Sequence, residues 1–107
     1  MKMHFQSEQE WHAEGVRLFG EDIMQWRFKC PCCGHVATVQ DYKDVGAPVD
    51  AVAFSCVGRW MDTRKDAFAE GDGPCNYAGG GLFRINPVSI DGRELGVFEF
   101  AAEEVAA

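Results

Sequence analysis

The run Cys30-Pro31-Cys32-Cys33-Gly34 constrains this chain more than any other feature of it. Cys30 and Cys33 stand at C-P-x-C-G spacing, the knuckle in which two thiolates reach one metal ion while the amides of the turn donate to the sulfurs. Pro31 fixes the first bend, and Gly34 permits the positive φ needed after the second ligand. Tetrahedral zinc takes four ligands, and Cys56 and Cys75 are the remaining cysteines outside the knuckle. We therefore expect one structural Zn2+ held by Cys30, Cys33, Cys56 and Cys75. The first two rest on spacing and turn chemistry; Cys56 and Cys75 rest on elimination, because together they make no second knuckle.

Several competing readings attach to the same residues. Cys32 lies between the knuckle ligands, so its side chain is expected to point away from the metal as a free or packed thiol. His35 follows Gly34 and competes with Cys56 or Cys75 as a ligand, although an exposed or supporting imidazole is the plainer reading. A redox role for the C-x-x-C would need it to open a helix, and Gly34-His35 is a poor helix start. Four protein ligands leave no coordination position for water, which favours a structural over a catalytic zinc. A nucleophilic Cys56 has no local motif beside it. Gly79-Gly80-Gly81 lacks the Lys-Ser or Lys-Thr of a phosphate-binding loop and reads as a turn.

At 107 residues the chain is expected to form a single domain over residues 1–107, small enough for a metal staple to matter. Apolar residues make up 47% and charged residues 25%, the balance of a folded globular protein. Ten Lys and Arg against 17 Asp and Glu give a net charge of −7, with no basic run beyond Arg64-Lys65. A nucleic-acid binder displaces counterions with a basic patch, so direct nucleic-acid binding is not expected. An acidic surface suits a basic partner instead. The start of the chain, Met1 to Glu8, lacks the apolar stretch of a signal peptide, and no segment is apolar for the ~20 residues a membrane span needs. A cytoplasmic location is expected, where cysteines serve as metal ligands or thiols rather than disulfides.

The local patterns predict an α+β fold, an N-terminal helix packed on a small antiparallel sheet with a C-terminal β-hairpin. Ser7 and Glu10 form a capping box ahead of Trp11, Gly15, Leu18 and Phe19 on one helical face, ended by Gly20. Gly15 allows close backbone approach. Met24, Trp26, Phe28 and Cys30 alternate with polar residues as a half-buried strand. Val36 to Val39 reads as a return strand or, in the preferred reading, gives way to a short helix from about Val39, capped by Thr38 and Asp41. Val52 to Val57 is β-rich and predicts a strand delivering Cys56. Met61 to Gly73 is polar and predicts a mobile surface loop, with a helical turn over 63–69 as an option. Asp91-Gly92 predicts a type I′ hairpin pairing Ile85 with Phe98, Phe83 with Phe100 and Arg84 with Glu99. The tail from Ala101 to Ala107 is expected to be frayed helix or disordered.

The stretches Phe28 to His35, Ala53 to Trp60 and Cys75 to Phe83 together resemble a family of small zinc-binding proteins encoded by phages and prophages, carrying the C-P-x-C-G knuckle. The likeness covers most of the chain after Met24. It assigns no activity to named residues; what it implies is context, since small phage accessory proteins often act by binding host machinery, including antiviral nucleases. The expectation is thus a non-enzymatic phage accessory protein that binds a host or phage protein, such as a nucleic-acid-binding defence complex, and inhibits it. Arg59 and Trp60, beside the polar loop, have the composition of an interface hot spot. A zinc-ribbon-like nucleic-acid or transcription-associated module, or a small cysteine or zinc enzyme, are the alternatives.

Overall fold

A computed structural model describes residues 3–82 and 84–101. It is an α+β fold in which helix α1 (Glu8–Phe19) packs on a three-stranded antiparallel sheet. That sheet has the order β3-β2-β5, with β2 (Arg27–Lys29) at its centre between β3 (Val36–Thr38) and β5 (Glu99–Phe100). A second, parallel pair joins β1 (His4–Phe5) to β4 (Ser89–Ile90).

Helix α1 forms where its caps place it. The Ser7 hydroxyl accepts the Glu10 amide at 3.0 Å, and Gly20, at φ +92°, closes the last turn through its N–H to the Val16 carbonyl. Its inner face carries Trp11 and Gly15. Trp11 stacks on Phe28 and Phe100 and meets Trp26 edge-on. Gly15 does serve a close approach, but to a side chain: a Cβ there would lie 2.3 Å from the Trp26 ring. Trp26 is locked in that position by its indole N–H, which donates to the Gly20 carbonyl at 2.9 Å.

The central strand is shorter than its sequence pattern. Asp22 accepts the Met24 amide and winds Ile23–Gln25 into a 3-10 turn, so the ladder begins only at Arg27. The alternation survives as burial, with Trp26, Phe28 and Cys30 inside and Arg27 outside. The two readings of the next segment both hold. Val36–Thr38 pairs with β2, and Thr38 then caps α2 (Val39–Asp44) through a reciprocal box with Asp41.

Two expectations are corrected. Residues 52–57 form no strand: Val49–Ala51 is a 3-10 turn, Ala53 sits at φ +59°, and the amides of Phe54 and Ser55 both turn back to the Ala51 carbonyl. The segment is apolar because it is buried, and it is held from two sides, by the Phe98 amide on the Ala53 carbonyl and by its own Cys56 amide on the Tyr77 carbonyl. The C-terminal reversal exists, but among the described residues only Val88 and Val97 pair across it. Its turn has positive φ at Gly92 and not at Asp91, which a type I′ turn requires, so the register moves by two residues. Phe98 then bonds Ala53 rather than facing Ile85, and Glu99 pairs with Lys29 rather than Arg84. The Phe83 pairing lies outside the described residues, as does the tail beyond Ala101, whose own amide bonds the Arg27 carbonyl.

The segment 61–73 has short turns, one of them at Asp66–Ala69, in place of a helix. Its backbone is tied to other parts of the chain, by the Lys65 amide on the Pro74 carbonyl, the Ala67 amide on Asn76 Oδ1 and the Phe68 amide on the Cys32 sulfur.

Candidate metal centre

The fold brings Cys30, Cys33, Cys56 and Cys75 to one point. Their sulfurs all lie within 4.8 Å of one another, and the four can hold a metal ion. Cys30 and Cys75 are 4.0 Å apart and Cys33 and Cys56 are 3.8 Å apart. A tetrahedral ion with metal–sulfur bonds of about 2.3 Å has sulfur–sulfur edges of about 3.8 Å, so the spacing fits such an ion. Cys30, Cys56 and Cys75 are buried and Cys33 is half-buried.

Each cysteine arrives by a different local device. The knuckle closes through the Gly34 amide on the Cys30 carbonyl and the Cys30 amide on the His35 carbonyl, with Gly34 at φ +78°. β3 follows it, not a helix, so the geometry is that of a knuckle and not of a thioredoxin-like motif. Cys56 stands at the start of the 3-10 turn Val57–Trp60. Gly58 is required there, since a Cβ would fall 2.2 Å from the Cys75 carbonyl oxygen. Cys75 leaves the 61–73 segment just where Lys65 bonds Pro74.

Amides surround the sulfurs as they do around bound thiolates. The Sγ of Cys33 accepts from His35 and that of Cys75 from Tyr77. Cys30 accepts from the amides of Cys33 and Cys32, and Cys56 from Gly58 and Cys75. Without a cation the cluster shares its protons unevenly. The Cys30 thiol, donating to Cys56 and assisted by the Gly58 and Cys75 amides, pulls Cys56 down to about 5. Cys30 itself is pushed well up by that same hydrogen bond and by burial. Burial raises Cys75 to about 12. Cys56 is thus a ready thiolate, and a positive charge is needed to ionise Cys30 and Cys75.

Behind the cluster, Tyr42 donates its hydroxyl to the Ser55 carbonyl at 2.7 Å, and the Ser55 hydroxyl accepts the Gly79 amide. Burial, then the charge of Cys56, push the Tyr42 phenol up, so it stays a donor. Neither residue was singled out by sequence, since each acts through a contact distant in the chain.

The remaining sequence candidates fall as follows. Cys32 is outside the cluster and accepts the Phe68 amide at 3.2 Å. His35 lends the cluster its backbone rather than its ring. Arg59 is exposed, its guanidinium 5.8 Å from the centre of the Trp60 ring and donating to the Asn76 carbonyl. Trp60 is half-buried and reaches the surface beside it. One constellation was missed: His4 Nδ1 is 2.6 Å from Ser89 Oγ and its Nε2 is 3.3 Å from Asp91. The order is that of a nucleophile, a base and an orienting acid, but the amides of Ser89 and Asp91 are spent on the Met3 and Phe5 carbonyls. They supply no oxyanion donor, and the trio fastens β1 to β4. Among the described residues no helix is long and apolar enough to cross a membrane.

No curated protein and no solved structure matches the chain. A family model does: the one described as VVA0879-like matches residues 7–101, a span that contains the four cysteines and both residues of the Arg59–Trp60 pair, and the chain belongs to that family.

Proposed function

We propose that the protein is a zinc-stapled binding module: the four cysteines hold one structural Zn2+, and the function is the capture of a protein partner on a surface the staple keeps in shape. The observation that carries the reading is the closed thiol cluster, whose soft donors suit zinc and whose four positions all come from protein. Three of those donors are buried, which suits a scaffold better than a site that must admit substrate. The surface proposed for the partner is Arg59 and Trp60, carried on the turn that starts at Cys56 and so fastened directly to the cluster. Arginine over tryptophan, half-exposed, has the composition of an interface anchor.

The finer part of the proposal is a phage or prophage accessory role in the host cytoplasm, inhibiting a host defence complex that handles nucleic acid. It is supported by the resemblance of the cysteine-bearing stretches and by the −7 charge, which complements a basic groove. The test is binding. Arg59→Ala and Trp60→Ala are expected to weaken capture of a host protein by more than about tenfold, the size of a hot-spot loss, while metal content and thermal midpoint hold. Unchanged capture by both variants, or tight and salt-sensitive binding of DNA or RNA by the parent, would overturn it.

A further inference from the structure

β3 is an outer strand of its sheet, and part of its backbone faces outward. Along β2 and β3 the Cys30 amide bonds the His35 carbonyl and the Val39 amide bonds the Trp26 carbonyl, with Phe28 opposite Ala37 between them. Bonded and non-bonded pairs alternate in an antiparallel ladder, so the N–H and C=O of Val36 and the N–H of Thr38 point away from β2. Asp41 Oδ2 takes the Thr38 amide at 2.9 Å. Val36 has no main-chain partner on that side among the described residues, which leaves one donor and one acceptor for an added strand. Beside this edge, a cavity of about 320 Å3 opens between α2 and the turn Val57–Trp60. Val45, Val57 and Met61 form its apolar wall, and Asp41, Asp44 and His35 are its polar groups. We infer that edge and cavity together take an extended, lysine-bearing segment of a protein partner, its backbone paired to Val36 and the lysine side chain laid into the cavity.

The charge selects a cation. Asp41 and Asp44 are three residues apart on α2 and so share a face, where like charges repel. Asp44 also ends the helix, at the pole where free carbonyls disfavour a carboxylate and favour a cation. Neither forms an ion pair among the described residues, and no Lys or Arg lines the cavity. Lys43, which lies between them in sequence, lines a different cavity with Val49 and Val52. An ammonium placed here offsets both carboxylates, and a neutral imidazole at His35 can accept from it as well. The hydrogen bonds select lysine over arginine. Asp41 spends Oδ2 on the Thr38 amide and Asp44 spends Oδ1 on Gln40, so neither presents the two free oxygens that a guanidinium fork engages. A compact ammonium needs one oxygen from each, and the aliphatic wall suits the stem behind it. The open edge, finally, selects a peptide over a free amine, because only a peptide can use the Val36 N–H and C=O.

The inference rests on the binding-module reading and adds the chemistry of the partner, but a synthetic peptide tests it directly. Acetyl-Thr-Val-Lys-Val-Thr-amide is titrated into the full-length protein, of verified metal content, while backbone amide and tryptophan indole resonances are followed by NMR. Saturable shifts are expected at Val36 and Asp44, with the Trp26 indole unmoved. Binding weakens by about tenfold or more when norleucine replaces the lysine, and equally when proline replaces both valines and removes their amide donors. Asp44→Asn, exposed at a helix end and still able to accept from Gln40, is expected to weaken it as much. Equal binding of the lysine and norleucine peptides, or no saturable shift at millimolar peptide, would overturn the inference. A peptide that fails to bind while Arg59→Ala and Trp60→Ala still lose host capture sinks this inference alone. A peptide that binds while both variants capture normally sinks the Arg59–Trp60 surface alone.

Discussion

The two halves of this molecule are held together in opposite ways. Around α1 and the three-stranded sheet, regular backbone and stacked rings do the holding: Trp11, Trp26, Phe28 and Phe100 lie within 6.2 Å of one another, centre to centre, wherever they pair. Around the cysteines the backbone is a knuckle, two 3-10 turns and loops, joined by side-chain sulfurs and by single hydrogen bonds such as Cys56 to Tyr77. Irregular backbone of this kind leaves few ladders, so a cross-link adds what regular hydrogen bonding does not supply. Yet the halves share one core, since Cys30, Cys56 and Cys75 pack in the same buried cluster as Trp26, Phe28 and Phe100. The difference teaches that the cysteine cluster is not an appendage; it closes one end of the aromatic core.

The largest effect follows from that continuity. Binding of structural zinc contributes about 10–16 kcal/mol in small zinc-dependent peptides, more than the whole stability of most domains. Stripping the metal with a strong chelator is expected to unfold both halves in one transition, with tryptophan fluorescence and metal release coinciding. A Trp26 environment that outlives the metal would show the halves to be independent. Next in size, packing in the aromatic half can be attacked alone. Gly15→Ala drives a methyl into the Trp26 ring and is expected to cost about 1–3 kcal/mol in denaturant unfolding, with metal stoichiometry unchanged. Loss of metal in that variant would mean that the ring stack positions the ligands.

Smaller effects sharpen the boundary between the halves. Tyr42→Phe removes the bond to the Ser55 carbonyl that backs the Cys56 turn, and about 1–2 kcal/mol of stability should go with it. Cys32→Ser is expected to change stability by less than about 1 kcal/mol and to leave the metal in place, because Cys32 lies outside the cluster, where it packs half-buried against the core and accepts the Phe68 amide. Proton counting tests the cluster's electrostatics. Cys30 and Cys75 hold their protons far above neutrality when no cation is present, whereas Cys56 is already ionised at pH 7. Adding Zn2+ to the metal-free protein at pH 7 should therefore release at least the two protons of Cys30 and Cys75, and affinity should fall as pH falls because thiols are re-protonated. Release of one proton or none would deny them a ligand role.

How much of this was legible in the sequence differs between the halves as well. The helix caps at Ser7 and Thr38, the stop at Gly20 and the buried phase of Trp26, Phe28 and Cys30 were readable, because each depends on neighbours a few residues away. The knuckle was readable for the same reason. Residues 52–57 misled because burial and β-propensity select the same side chains, and only the left-handed Ala53 separates a buried turn from a buried strand. The Asp91-Gly92 turn misled because its register is set at a distance, by β4 pairing with β1 and β5 with β2, and not by the dipeptide. Cys56 and Cys75 were chosen by elimination, and only the fold brings their sulfurs to the knuckle.

That convergence is the central claim, and metal analysis of the purified protein with its single-cysteine variants tests it most directly. The account predicts one zinc per chain, lost or much weakened in the Ser variants of Cys30, Cys33, Cys56 and Cys75 and retained in Cys32→Ser. A protein that folds without bound metal, or a Cys56→Ser or Cys75→Ser variant that keeps its zinc at full affinity, would contradict it.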